Sequence, residues 1–192
     1  LYSEKFTDKK NVFDFKNSLT KKLKTTKLNF DSAFDNVILK EITDQENFLD
    51  FSNKARIIWE DNYDTADFKK FCEVIERKLP KRRLYKLQAL SGYHMTFSQN
   101  SCNFSVPGSG KTSIVYSAYA YLNNLEITNN KFVNKLLIIG PPSSFKPWED
   151  EYEECFGKAP KSFRINGEVS INKKKETLKG ITTKDYELYL IT

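Results

Sequence analysis

The chain has 192 residues, of which 39% are apolar and 14% aromatic, including fifteen Phe and ten Tyr. That composition can bury a core and is neither disordered nor collagen-like, and no apolar run approaches the roughly twenty residues that span a bilayer, so no membrane partner is expected. The net charge of +6 is unevenly placed: residues 1–80 carry fifteen Lys/Arg and fifteen Asp/Glu, whereas residues 81–192 carry sixteen and ten, a surplus that suits a polyanion such as nucleic acid or nucleotide.

Residues 1–80 read as a helical region. Val12, Phe15, Leu19 and Leu23 recur at spacings of three and four and predict a first amphipathic helix. Thr43 and Glu46 have the form of a capping box ahead of Phe48, Phe51, Ala55, Ile58 and Trp59, the stripe of a second. Asp64 and Thr65 can cap a third, with Phe68, Phe71, Cys72, Ile75 and Leu79 on its inner face and Pro80 as its stop. These aromatic stripes suit the core of a small bundle. Its outer faces leave room for a protein partner.

From residue 81 onward the pattern changes. Leu84, Leu87, Leu90 and Phe97 predict one more helix, a polar break follows at 98–101, and residues 102–106 predict a short strand ending in Pro-Gly-Ser-Gly. A helix over 113–122, a buried strand at Leu136–Ile139, a helix over 144–156, a strand at Ser162–Ile165, a helix over 170–178 and a strand over 186–191 complete the series. Four strands alternating with helices imply an α/β region, 81–192, with a parallel sheet. Cys72, Cys102 and Cys155 form no Cys-x-x-Cys pair, and His94 is the lone histidine, so neither a zinc site nor a disulfide framework is indicated and a reducing, cytoplasmic setting is expected.

The segment Ser105-Val-Pro107-Gly108-Ser109-Gly110-Lys111-Thr112 is the strongest chemical signal. A Gly-rich turn ending in Gly-Lys-Thr, between a predicted strand and a predicted helix, lets backbone N–H groups close around phosphate, aided by the helix N-terminus. In that reading Pro107, Gly108, Ser109 and Gly110 form the cradle, Lys111 supplies positive charge to the terminal phosphates and is the catalytic residue, and the Thr112 hydroxyl holds Mg²⁺. ATP with Mg²⁺ is the implied cofactor. Ser105 stands where the strict pattern begins with Gly.

This loop resembles motif I of the superfamily 2 helicase-type ATPases. The segment from Leu136 through Pro141, Ser143, Ser144, Trp148 and Glu151 to Tyr152 is similar to the motif Ia region of their Snf2-like branch, a strand followed by Pro-x-Ser, then Trp-x-x-Glu and an aromatic residue. Residues 84–88, Leu-Tyr-Lys-Leu-Gln, resemble the element that precedes motif I, with Gln88, 22 residues before Gly110, in the place of the adenine-recognising glutamine. The resemblance covers about residues 82–192. It implies a partial RecA-like P-loop domain lacking the Asp-Glu-x-His box and the second lobe, hence a piece of a longer DNA-dependent ATPase or translocase, inactive in hydrolysis alone. It further implies contact of Ser143 and Ser144, with Lys146 nearby, to the backbone of nucleic acid, double-stranded DNA foremost, in a setting such as restriction or phage defence. Trp148 reads as core, and Lys173, Lys174 and Lys175 as a solvated face. The rival readings are a P-loop NTPase that does not act on nucleic acid and a non-catalytic module that binds a partner protein.

Overall fold

The computed structural model describes Ser18, Lys21 and residues 32–98, 100–165, 167, 169–181 and 184–192. The helix expected around Val12 to Leu23 lies outside the described residues. By packing, the chain divides into two compact units, Leu1–Asn53 and Lys54–Thr192. The fold is α/β: four N-terminal helices precede a small three-stranded parallel sheet interleaved with further helices.

Helix α1 spans Ser32–Trp59 and runs through the division between the units. It corrects the capping-box assignment: Thr43 is mid-helix, and its hydroxyl donates to the Leu39 carbonyl one turn back (2.9 Å). A Thr whose hydroxyl turns back onto the preceding turn continues a helix and does not start one. In the second unit, Ala55 and Ile58 are buried as expected, whereas Trp59 lies exposed at the helix end.

Helix α2 (Thr65–Lys78) begins where the sequence indicates. The Asp64 carboxylate accepts the N–H of Ala66 (2.7 Å) and of Asp67 (3.3 Å), satisfying two donors of the first turn. Phe71, Ile75 and Leu79 are buried along its inner face. Helix α3 (Lys86–Phe97) forms as expected but presents a different side. Ala89, Gly92, Tyr93 and Thr96 face inward, and Leu87 is 77% exposed. Small residues win that face because the next helix, α4 (Lys111–Asn123), comes very close: a side chain at Gly92 would collide with the hydroxyl of Ser117.

The strand expected over residues 102–106 does not form. Asn103 accepts the Ser105 N–H at 3.1 Å and the Ser105 hydroxyl at 2.5 Å, so the segment closes on itself as a side-chain turn and offers no ladder to a neighbour. Its apolar side chains stay outside, with Phe104 92% exposed. The sheet therefore has three strands instead of four. They are β1 (Leu136–Ile139), β2 (Ser162–Ile165) and β3 (Leu188–Ile191), in the order β1-β3-β2. Both pairings are parallel, with Leu136 and Ser162 each opposite Leu188, and Ile139 and Ile165 each opposite Ile191.

This order inverts one expectation. The central, fully buried strand is β3, all four of whose residues are buried, whereas the apolar run β1 sits at an edge with Ile139 75% exposed. Helix α5 (Phe145–Phe156) follows β1 through a short 3₁₀ turn (Pro142–Ser144), and α6 (Ile171–Lys179) joins β2 to β3. Phe145, Leu188 and Leu190 form a small core with Leu136, Ile138 and Trp148 packed on it. A larger aromatic core joins Phe71, Tyr93, Tyr116, Tyr119 and Tyr152 from α2 through α5. Full burial of Phe71 alone stabilises by about 1.5–3 kcal/mol, and the tyrosines pack on it while the Tyr116 and Tyr119 hydroxyls donate to the Trp148 and Asn134 carbonyls.

Candidate nucleotide-binding loop

The turn built on Asn103 delivers the chain into residues 105–110, which hold a conformation that only glycine adopts without strain at two points. Gly108 has φ 79° and Gly110 φ 81°, both left-handed. Open space surrounds Gly108, with no heavy atom within 4 Å of where a β-carbon would be. Gly110 is the N-cap of α4, and no side chain caps that end, so the first-turn N–H groups remain without intrahelical partners. Such an end favours an anion through both its donors and its dipole.

Lys111 folds back over the loop. Its ammonium donates to the carbonyls of Ser105 and Val106, the latter at 2.9 Å, while the hydroxyls of Ser105 and Ser109 lie 2.7 Å apart across the same turn. Thr112 follows in the first turn of α4, half-buried.

Gln88 is brought to this loop from α3. Its Oε1 accepts the Tyr85 N–H (2.9 Å), and its Nε2 donates to the Ser109 carbonyl (2.8 Å). Each end of the amide is thereby used once. One further N–H and one further lone pair remain. Gly110 is also matched to Gln88, since a β-carbon there would lie 2.5 Å from Nε2.

Ser143, Ser144 and Lys146 occupy a different place, beyond the carboxyl end of β1. Among the described residues no hydrogen bond joins them to the loop over residues 105–112. Ser143 is exposed. Ser144 holds the N-cap position of α5 without capping it: its hydroxyl donates backwards to the Pro141 carbonyl (2.7 Å). The Lys146 ammonium pairs with Asp150 one turn on, a carboxylate that raises the lysine's pKa. Trp148 is half-buried, its ring edge-on to Tyr116 with centroids 5.5 Å apart, as a packing residue should be.

Sequence reasoning missed the polar group behind the loop. Ser113, almost wholly buried, donates its hydroxyl to Glu151 Oε1, and the same oxygen accepts Arg82 Nη2 at 2.8 Å. Glu154 Oε2 takes Arg82 Nη2 as well, at 2.6 Å. The Cys155 thiol lies 3.8 Å from Glu151 Oε1, and burial, then that carboxylate, pushes its pKa up to about 11. The Trp-x-x-Glu spacing singles out Glu151, but nothing in the sequence places Ser113 opposite it.

Set against Mg-ATP, the donors at hand are the uncapped first turn of α4, led by the left-handed Gly108 and Gly110, while the Ser109 N–H is taken by the Val106 carbonyl (3.2 Å) and the Lys111 ammonium by the Ser105 and Val106 carbonyls. For the ion, Thr112 is the available oxygen ligand, and among the described residues no group of three or more His, Cys, Asp or Glu side chains is placed to hold a metal. Among the described residues no helix is long and apolar enough to cross a membrane. Comparison of the chain with models of protein families, with curated proteins and with solved structures returns no match.

Proposed function

We propose that the chain is the nucleotide-binding part of a DNA-stimulated ATPase of the helicase or translocase type, similar to the Snf2-like branch of superfamily 2. The observation that carries this reading is the phosphate loop itself: two left-handed glycines, Gly108 and Gly110, lead an open turn into the uncapped N-terminus of α4, with Lys111 and Thr112 in its first turn. In this proposal the Gly108 and Gly110 N–H groups and the uncapped first turn of α4 hold the phosphates, and Lys111 leaves the Ser105 and Val106 carbonyls for the terminal phosphates. Thr112 takes Mg²⁺, which would neutralise charge on the phosphate oxygens. Gln88 offers its remaining donor and acceptor to the edge of the base.

The Pro-x-Ser and Trp-x-x-Glu spacing over residues 141–151 favours the helicase-type assignment over a general P-loop enzyme, and two features of the fold are compatible with it. The parallel sheet interleaved with helices suits a partial RecA-like lobe, and the turn after β1 sets Ser143 and the N-terminal end of α5 at the carboxyl edge of the sheet, where α/β proteins receive ligands. Exposed Ser143, with Ser144 and Lys146 beside it, would meet a phosphate backbone there. A cytoplasmic location belongs to the same proposal.

The test is ATP hydrolysis by a longer protein that carries this chain, with and without double-stranded DNA, beside Lys111→Ala. DNA-stimulated turnover that the substitution abolishes is the expected result. Turnover indifferent to DNA would sink the helicase-type assignment, and full activity of Lys111→Ala would remove the loop from the reaction. The isolated chain is expected to bind nucleotide weakly and hydrolyse it negligibly, because charge stabilisation in phosphoryl transfer draws on groups from both sides of the cleft.

A further inference from the structure

We infer that Glu151 is a positioning residue for the phosphate loop, its carboxylate tying the first turn of α4 to the arginine that leads into α3. The inference rests on the nucleotide-binding reading above and adds what holds that loop in shape. One oxygen, Glu151 Oε1, receives the Ser113 hydroxyl, Arg82 Nη2 at 2.8 Å and, more distantly, the Cys155 thiol at 3.8 Å. Ser113 immediately follows Thr112, and its Oγ lies 3.8 Å from where a β-carbon on Gly110 would be.

The loop is therefore held on both flanks. On one side Gln88 grips the Ser109 carbonyl, and on the other Glu151 grips Ser113. Both tethers return to the same stretch of chain, because Arg82 stands three residues before Tyr85, whose N–H closes on Gln88. Gly110, Lys111 and Thr112 are bracketed between the two grips.

Packing alone does not require Glu151. Helices α4 and α5 already meet through Tyr116, whose hydroxyl donates to the Trp148 carbonyl at 2.6 Å and whose ring is edge-on to Tyr152 and Phe156. A partly buried carboxylate in such an aromatic interface costs desolvation that an apolar residue would avoid. The Arg82 end is equally specific: its Nε is buried with no hydrogen-bond partner among the described residues, and the guanidinium is held by Glu151, by Glu154, whose side chain is 66% exposed, and by the neighbouring Cys155. Such a polar pair fixes a position more than it adds stability.

The experiment is titration of the chain with a fluorescent ATP analogue and Mg²⁺, alongside thermal unfolding without nucleotide, for the unsubstituted protein, Lys111→Ala, Glu151→Gln, Ser113→Ala and the Glu151→Gln/Ser113→Ala pair. Each single change at the tether is expected to weaken affinity about three- to tenfold, the scale of one hydrogen bond. The pair should be no weaker than the worse single change, since both break one linkage. Ser113→Ala should do so with the nucleotide-free melting temperature unchanged, a split that a merely structural serine would not give. Unaltered affinity in the single variants, or losses that multiply in the pair, would overturn the positioning role while Lys111→Ala still reports a working loop. Should Glu151→Gln fail to fold, Ser113→Ala decides alone. If the unsubstituted protein binds no better than Lys111→Ala, the nucleotide reading falls and the positioning role falls with it.

Discussion

Gly110 carries two constraints at once, a left-handed φ of 81° and a β-carbon position 2.5 Å from Gln88 Nε2. Gly110→Ala is expected to cost about 1–3 kcal/mol through backbone strain and to displace Gln88 from the Ser109 carbonyl. Unfolding in urea measures the first effect and nucleotide titration the second. Gly108→Ala is the informative contrast, for its φ is 79° but its surroundings are open, so strain is its sole penalty. Loss of affinity equal in the two variants would show that Gln88 is not the group displaced. At this scale the sequence was generous about the loop and silent about its supports. Gly-Ser-Gly-Lys-Thr marks a glycine turn running into a helix, and the left-handed Gly108 and Gly110 ahead of α4 match that much, although the strand expected before it is absent; the meeting of Ser113 with Glu151, 38 positions apart, depends on how α4 lies on α5.

Among the elements, β1 and β3 read alike in sequence and differ in the folded chain. Both are four-residue apolar strands, yet β3 is central and β1 an edge. Leu190→Ala, in the fully buried strand, should destabilise by about 2–5 kcal/mol. Ile139→Lys, on the exposed side of the edge, should stay within about 0.5 kcal/mol and improve solubility. Chemical denaturation of both variants checks the order, and an equal cost at the two sites would contradict it. Periodicity finds strands but not their neighbours, so the order β1-β3-β2 was beyond it. The lost strand over residues 102–106 has a different cause, since an apolar run competed there with Asn103, whose side chain takes the Ser105 N–H before any partner strand can. In α3, likewise, Leu87 was expected inside by hydrophobicity, but the close approach at Gly92 turned the small residues inward.

For the molecule as a whole, acid is the expected weak point. Glu149 on α5 accepts from Ser162 (2.5 Å) and from Arg164 Nε (3.0 Å) on β2, and the Arg164 hydrogen bond holds its pKa below the usual 4.5 against the opposing effect of burial. Glu187, just before β3, is also held low: burial opposes ionisation there, and the Lys158 ammonium at 2.9 Å outweighs it with help from the Lys161 N–H and the Tyr152 hydroxyl. Both groups bind fewer protons folded than unfolded, so their contribution is complete above about pH 4.5 and is lost as pH falls through their depressed folded values. Thermal unfolding across pH 3–7, in round figures, should show a plateau above about pH 5 and a steep fall below it. Glu149→Gln should lower the plateau and flatten the fall. An acid limb unchanged by that substitution would assign the effect elsewhere.

The close approach of α3 and α4 at Gly92 reaches further than packing. With no room for a side chain against Ser117, the two helices have no slack to slide past each other, and Gln88 lies about one turn, and Gly110 about two turns, from that contact along their respective helices. A ligand spanning Gln88 and the loop would thus dock onto a single preorganised body, its two anchor points already at their final spacing before it arrives. The ordering entropy of such a site is met during folding, so binding need not supply it.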